Sequence, residues 1–333
     1  MPQTAKLLVI VGSDRDDRMQ VADGQLNINA STDLHLLIDS RVPVDRTLMT
    51  RNFFRQQRAL EPGYECILNL ITEAEENSRV LENLRKFVRG YPAKIVNRPD
   101  AVMQSTRDLV ARRLAGIPGL AVPRVLRLRS GKAAAAAQLV ERAGLRFPVI
   151  VRRVGTHTGR IVGRFDDPDA LRGAAMQAGE HLATEFVDFR SPDGLCRKYR
   201  MFFLGQRRVF RHMLVSDGWN VHASDRQRVM AERPELVAAE ERMLATPEGA
   251  FPEDVQNVLS AVRERIPLDF FGIDFGIAPD GRVVLFEANA TMNFFPLSPD
   301  ARFAYLARCV EPARNAFADL LGLPQPAPAQ SAP

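Results

Sequence analysis

Three oxygen-bearing side chains late in the sequence stand where they could act together: Asp274, Glu287 and Asn289. They belong to two apolar runs, Phe270 to Ile277 and Arg282 to Asn289, separated by Ala278-Pro279-Asp280-Gly281. Apolar runs flanking an Asp-Gly pair predict a β-hairpin. With Asp280 and Gly281 at the centre of the turn, Asp274 faces Glu287, and a turn shifted by one residue moves that pairing by one position. Glu287 and Asn289 are two apart in their strand and share a face. Two carboxylates and an amide oxygen among apolar neighbours are poorly solvated without a compensating cation. Hard oxygen donors of this kind suit Mg²⁺, which keeps part of its water and bridges to nucleotide phosphates. An incidental acid pair on a solvent-facing hairpin has the same composition, but Leu285 and Phe286 mark the second strand as buried.

A second cluster begins at Pro148-Val149-Ile150-Val151-Arg152-Arg153 and runs into Gly155-Thr156-His157-Thr158-Gly159. A strand that ends in cations and enters a glycine-bracketed, hydroxyl-rich loop can lay backbone N–H groups over an anion while the cation binds it. A plain hairpin turn has the same composition. Between the two clusters lie Glu185-Phe186-Val187, ending a strand, and Lys198 and Arg200, which alternate onto one face of the next. Arg211 and His212 follow. His212 and His222 have no third metal ligand at a helpful spacing and read as ordinary polar histidines, whereas His157 in the glycine loop is the better functional candidate.

The elements that must position these residues follow from the hydrophobic pattern. Lys6 to Val11, Leu34 to Ile38, Cys66 to Ile71 and Lys94 to Val96 read as strands, and Arg46 to Leu60 and Ala74 to Arg89 as helices. Alternation of this kind predicts an open α/β sheet covered by helices. One helix is expected from Asp100 to Ala115, stopped by Gly116-Ile117-Pro118-Gly119. Beyond it the pattern predicts a helix at Lys132 to Arg142, strands at Phe147 to Arg152 and Ile161 to Phe165, and a helix at Asp167 to Gln177. Strands follow at His181 to Phe189, Lys198 to Leu204 and Val209 to Val215. Helices at Pro234 to Ala245 and Glu253 to Arg265 precede the hairpin, and one near Ala301 to Leu321 follows it. The proline- and alanine-rich tail is expected to be disordered.

Composition bounds the reading. At 333 residues, 46% hydrophobic and 26% charged, the chain is long enough for two or three domains and too apolar to be disordered throughout. No apolar run reaches the ~18 residues of a membrane span, so a soluble, cytoplasmic protein is expected with no membrane partner. Cys66, Cys196 and Cys309 are far apart and are expected to be reduced, inert thiols. The net charge of +5 rests on 40 arginines and only five lysines, dispersed among 40 acids. That is a solvated arginine-rich surface, and no nucleic-acid partner is expected.

In this order and spacing the clusters resemble the ATP-grasp ligases, in particular glutathione synthetase and the ligases that add glutamate to a ribosomal protein. The resemblance covers roughly Asn97 to Pro299. It implies an α/β (α+β) ATP-grasp fold behind an N-terminal open-sheet domain. The expected divisions are residues 1–105 for that domain, 106–186 for a small lobe with the glycine-rich loop, 187–321 for a large lobe with the metal site, and 322–333 for the disordered tail. Asp274, Glu287 and Asn289 match the family's metal ligands, with two Mg²⁺ expected and Mn²⁺ as an alternative. The resemblance assigns the cofactor ATP to Arg152, to the loop Gly155, Thr156, His157, Thr158 and Gly159, to the adenine-reading hinge Glu185, Phe186 and Val187, and to Lys198. Arg200 and Arg211 match arginines near the transferred phosphoryl group. The implied activity is ATP-dependent ligation of a small-molecule or peptide carboxylate to an amine through an acylphosphate, in a homodimer. Two departures stand out: the lysine that usually follows Arg-Asp is absent from Thr106-Arg107-Asp108-Leu109, and the other phosphate lysine falls on Arg152. Their alternative reading is a nucleotide-binding pseudo-enzyme or an ATP-grasp kinase.

Overall fold

The computed structural model describes residues 6–15, 19–22, 25–28, 32–53, 60, 63–155 and 161–326. The first sheet is built from β1 (Leu7–Ser13), β4 (Val44–Thr50), β5 (Cys66–Asn69) and β6 (Lys94–Val96), all parallel in the order β4-β1-β5-β6. A hairpin of β2 (Met19–Ala22) and β3 (Gln25–Ile28) lies between β1 and β4. Leu7 to Ile10 are fully buried, as a strand covered on both faces requires. Two expectations fail here. Leu34–Leu37 is a 3-10 turn, and the helix expected over Arg46 to Leu60 begins instead as strand β4; residues 54–59 of that expectation lie outside the described residues. β4 is the edge of its sheet, where Asp45 and Arg46 can remain in solvent, and those charges imitate the polar face of a helix. Helix α1 (Ser78–Phe87) is capped from a distance, since the Asp14 carboxylate accepts from the N–H groups of Arg79 and Val80 at 2.9 and 2.8 Å.

The single helix expected after Asp100 is two, α2 (Pro99–Met103) and α3 (Arg107–Leu114). Ser105 Oγ donates back to the Val102 carbonyl at 2.7 Å, the local competition with helix bonds that hydroxyl side chains offer. The break sets Arg107 at the start of α3. After the short strand β7 (Leu120–Ala121) comes an antiparallel sheet of β8 (Val125–Leu128), β9 (Val149–Arg153), β10 (Gly163–Phe165) and β11 (His181–Glu185), in the order β10-β9-β11-β8. Helices α4 (Ala133–Arg142) and α5 (Pro168–Arg172) complete this unit, and its core of Leu128, Ala136, Ala137, Val140, Val151 and Leu171 is its own. α5 is shorter than the Asp167 to Gln177 expectation, with Asp167 as its N-cap.

The third sheet holds β12 (Cys196–Leu204), β13 (Arg207–Ser216), β14 (Phe270–Ile277) and β15 (Val283–Asn289), in the order β13-β12-β14-β15-β7. Helices α6 (Pro234–Ala245) and α7 (Glu253–Arg265) fall where the sequence predicts them. The terminal helix divides into a 3-10 stretch, Ala301–Cys309, and α8 (Val310–Leu321). Gly322, with a φ of 70°, ends α8 and Leu323 N–H bonds the Ala318 carbonyl, while residues 327–333 of the expected tail lie outside the described residues. The first and third sheets share one core rich in phenylalanine. Asn97 fastens them together: with a φ of 55° it accepts from the N–H groups of Asp269 and Phe270 and donates to the Phe270 carbonyl at 2.9 Å. No helix among the described residues is long and apolar enough to cross a membrane. All three cysteines are free and buried, and burial pushes the Cys66 thiol up to about 11.

Candidate active site

The register of the third sheet sets one row of polar residues across four strands. His212 of β13 pairs with Arg200 of β12, Arg200 with Asp274 of β14, and Asp274 with Glu287 of β15. Both ends of the row carry a bulge. Arg211 is the extra residue opposite β12, and Phe286 the extra residue opposite β14. Near the turn the hairpin is paired one residue away from a centred Asp280-Gly281 register, because its loop is Pro279 to Gly281 with Gly281 at a φ of 83°. The bulge at Phe286 cancels that shift, and Asp274 faces Glu287 as the sequence predicts. A bulge turns a strand locally and re-aims its side chains, so the row and its irregularities are one feature.

Cations crowd this row. Arg200 grips Asp274 with both arms of its guanidinium, Nε to Oδ1 at 2.7 Å and Nη2 to Oδ2 at 2.8 Å, and Lys198 Nζ lies 3.5 Å from Oδ2. Burial pushes the Asp274 carboxyl up, but Arg200 and Lys198 outweigh it and hold the group below the ordinary carboxylate range. Arg107 donates to the Phe286 carbonyl at 2.8 Å and pairs with the Glu287 carboxylate. Asn289 donates its amide to Glu287 Oε1 at 2.7 Å and accepts from Thr291 N–H at 2.9 Å. Arg152, at the end of β9, faces Arg107, and its buried Nε has no hydrogen-bond partner. Repulsion by Arg107 and then burial, opposed by Glu287, push its pKa down to about 9, still charged at neutral pH. Thr72 to Glu75, Thr106, Arg107, Arg152 to Gly155, Glu287 to Asn289 and Thr291 line a common cleft. Four cations, Arg107, Arg152, Lys198 and Arg200, therefore stand against two carboxylates, Asp274 and Glu287.

The remaining predicted residues are placed as follows. Gly155 has a φ of 70°, and a Cβ there would come within 2.8 Å of Glu76, so this glycine is required by both conformation and space. Thr156, His157, Thr158 and Gly159 lie outside the described residues. Glu185, Phe186 and Val187 do not line the cleft. Glu185 ends β11, about 10 Å for three residues of strand from Leu182, which pairs with Arg152, and Phe186 and Val187 follow beyond the end of the strand expected to include them. The Glu185 carboxylate accepts from the Arg146 N–H at 2.9 Å, and the Phe186 N–H donates to the Pro148 carbonyl at 2.8 Å. The Phe186 ring lies under Arg164 at 4.4 Å and edge-on to Trp219 at 5.7 Å. Arg211 is buried, donating to the carbonyls of Phe294 and Pro296 at 2.7 and 3.2 Å, with Nη1 unpartnered.

Two site residues escape the sequence reading. Arg107 is the site's cation on α3, and its only signal is the Arg-Asp pair that lacks a following lysine. Asp33 reaches from the first sheet's unit to accept from the N–H groups of Phe294 and Phe295 at 2.7 and 2.6 Å, a contact with no local signature. As a metal site, the row offers two carboxylates and one amide; among the described residues no group of three His, Cys, Asp or Glu forms an alternative. That hard-oxygen donor set fits Mg²⁺, and the excess of cations around it fits a polyanion arriving with the metal.

Neither a protein-family model nor a curated relative matches this sequence. Solved structures do. The D-Ala:D-Ser ligase VanG from Enterococcus faecalis matches with a TM-score of 0.56 at 14% identity, over 96% of this chain and 99% of that one. The D-alanine–D-alanine ligase from Bacillus anthracis, solved with ATP, matches at 0.53 and 12% identity over 96% and 95%. A RimK domain ATP-grasp protein from Sphaerobacter thermophilus matches at 0.50 and 13% identity over 95% and 99%. This chain has the ATP-grasp fold. The ATP-grasp match spans nearly the whole chain, so the first sheet is part of the shared architecture as well as the two sheets behind it.

Proposed function

We propose that this protein is an ATP-dependent ligase that joins a carboxylate to an amine through an acylphosphate, releasing ADP and phosphate. The observation that carries the reading is the cluster of four cations on two carboxylates, with the Nε of Arg152 shielded and unpartnered. Two facing guanidiniums that share one carboxylate, Glu287, in a cleft are costly unless a further anion completes them. A triphosphate does so, with its adenine at Phe186 and Val187, just past Glu185, which lies about 10 Å along β11 from Leu182. The likeness to a D-alanine–D-alanine ligase solved with ATP supports a nucleotide as the ligand. In this reading residues 1–105 form the N-terminal domain, 106–186 the small lobe and 187–321 the large lobe.

Each residue then has a task. Asp274, Glu287 and Asn289 would hold Mg²⁺, which supplies charge neutralisation at the phosphates. Arg152 and Arg107 bind phosphate oxygens, and release of Arg107 from Glu287 frees that carboxylate. Arg200 and Lys198 sit where charge develops as a substrate carboxylate oxygen attacks the γ-phosphorus and the bond to ADP breaks. The amine then attacks the acyl carbon, the carbon–oxygen bond to phosphate breaks, and the amine gives up a proton. Arg211 steadies the carboxylate end from its bulge on β13. The test is ADP release in the presence of Mg²⁺ across paired pools of carboxylates and amines. Turnover confined to particular carboxylate pools and yielding an amide supports a ligase; ADP formed without an amine-dependent product would favour a kinase.

A further inference from the structure

His212 has no task in that scheme, yet its position is built. It shares the row of Arg200, directly across the strand pair, and the bulge at Arg211 sets the two neighbours together. Its Nε2 is buried without a partner, and so is Nη1 of the adjoining Arg211. Two unpartnered polar atoms on consecutive residues are a standing cost in a folded chain. The cations acting on the ring are Arg200, Arg211, Arg226 and Lys198. Arg200 and Arg226 are already locked in two-armed pairs with Asp274 and Glu240, and Lys198 leans on Asp274. Arg211 has only carbonyl oxygens, at Phe294 and Pro296, as hydrogen-bond partners. Asp33 and Glu240 act on Arg211 through space without a hydrogen bond to it, so its Nη1 is a spare donor beside an imidazole Nε2 with nothing to bind.

We infer that His212, together with Nη1 of Arg211, forms a subsite for a carboxylate group of the substrate. The word substrate rests on the ligase reading above; the binding chemistry does not. One oxygen of a carboxylate takes the Nη1 proton, and the other takes the Nε2 proton of a neutral imidazole, which has one donor to offer. Burial and then the four surrounding cations hold the His212 pKa well below its ordinary value, so the ring is neutral before the anion arrives. One guanidinium arm beside a neutral imidazole offers a pair of donors, which suits the two oxygens of a carboxylate, whereas the facing guanidiniums of Arg107 and Arg152 suit phosphate. His212 is thus a specificity residue, and a protein lacking a donor there would hold the carboxylate poorly while keeping its nucleotide.

The experiment uses the full chain with Mg²⁺ and ADP, labelled in its five histidines and titrated with sodium succinate at constant ionic strength. The His212 ring resonance, assigned by its loss in His212→Gln, is expected to move saturably with succinate and to be indifferent to inorganic phosphate and to ethylenediamine. In calorimetric titrations His212→Leu should weaken succinate about tenfold or more, and His212→Gln, which keeps a donor, by only about threefold. A His212 resonance that ignores succinate, or follows phosphate instead, overturns the inference, as does equal succinate affinity in the Leu variant with nucleotide affinity intact. Succinate binding at His212 without carboxylate-dependent ADP release would leave the subsite standing and remove the ligase reading; the reverse result would remove the subsite alone.

Discussion

Arg152 ends its strand facing another guanidinium, with Nε shielded from water and from every acceptor in the protein. Hydrogen bonds to a charged group are worth about 1.5–3 kcal/mol. Arg152→Ala should accordingly weaken Mg·ATP by roughly 10- to 100-fold, and Arg152→Lys by less, since lysine keeps the charge without the two-armed grip. Trp219, the only tryptophan of the chain, lies edge-on to Phe186 and reports this as a fluorescence titration. Equal affinities in the Ala variant would remove Arg152 from the phosphate site. Arg152 is legible in the sequence because a cation closing a β-branched run ahead of a glycine-bracketed loop, ambiguous by itself, is followed by the carboxylate hairpin downstream. Arg107 is not, since its meaning comes from Glu287, a residue 180 positions later in the chain.

The elements of the site divide in the same way. The hairpin can be read from its Asp-Gly turn, and the facing of Asp274 with Glu287 from the register. The two bulges have no signature in composition, because an extra residue in a strand is chosen by what its neighbours must reach. Beside the β13 bulge, the π-helical turn Arg226–Met230 brings Arg226 onto Glu240 of α6, where the carboxylate also accepts from Met213 N–H and the Tyr305 hydroxyl. Glu240 is fully buried and joins four elements around the strand that carries Arg211 and His212. Glu240→Gln leaves Arg226 uncompensated, which should cost about 3–5 kcal/mol of stability. Urea unfolding measures it, and a loss below about 1 kcal/mol would show that Arg226 finds another partner.

At the scale of the molecule, the arginine excess turns inward as much as outward. Arg127 of β8 holds Asp108 of α3 at 2.8 Å, Glu180 before β11 at 3.0 Å and Glu75 beyond β5, tying the first sheet's unit to the second sheet. Burial raises the Asp108 carboxyl, but Arg127 and Thr106 outweigh it and leave it below its ordinary value. The stability it contributes is present above the unfolded carboxylate pKa and is lost as pH falls through the lower folded one. The urea midpoint should therefore fall more steeply from about pH 5 to about pH 3 in the native protein than in Arg127→Gln. Parallel slopes would mean that the clamp adds nothing. The alternation of strands and helices is legible without any of this, whereas the clamp and the Asn97 fastening join residues far apart in sequence and appear only once the sheets are assembled.

The role proposed for the row Arg200, Asp274, Glu287 and Asn289 is to handle nucleotide phosphates for a ligation. Carboxylate-dependent ADP release, compared between the native protein and Glu287→Gln, tests it most directly. Release is expected with the native protein and none above background with the variant, at unchanged unfolding temperature. Turnover by Glu287→Gln at the native rate would contradict it.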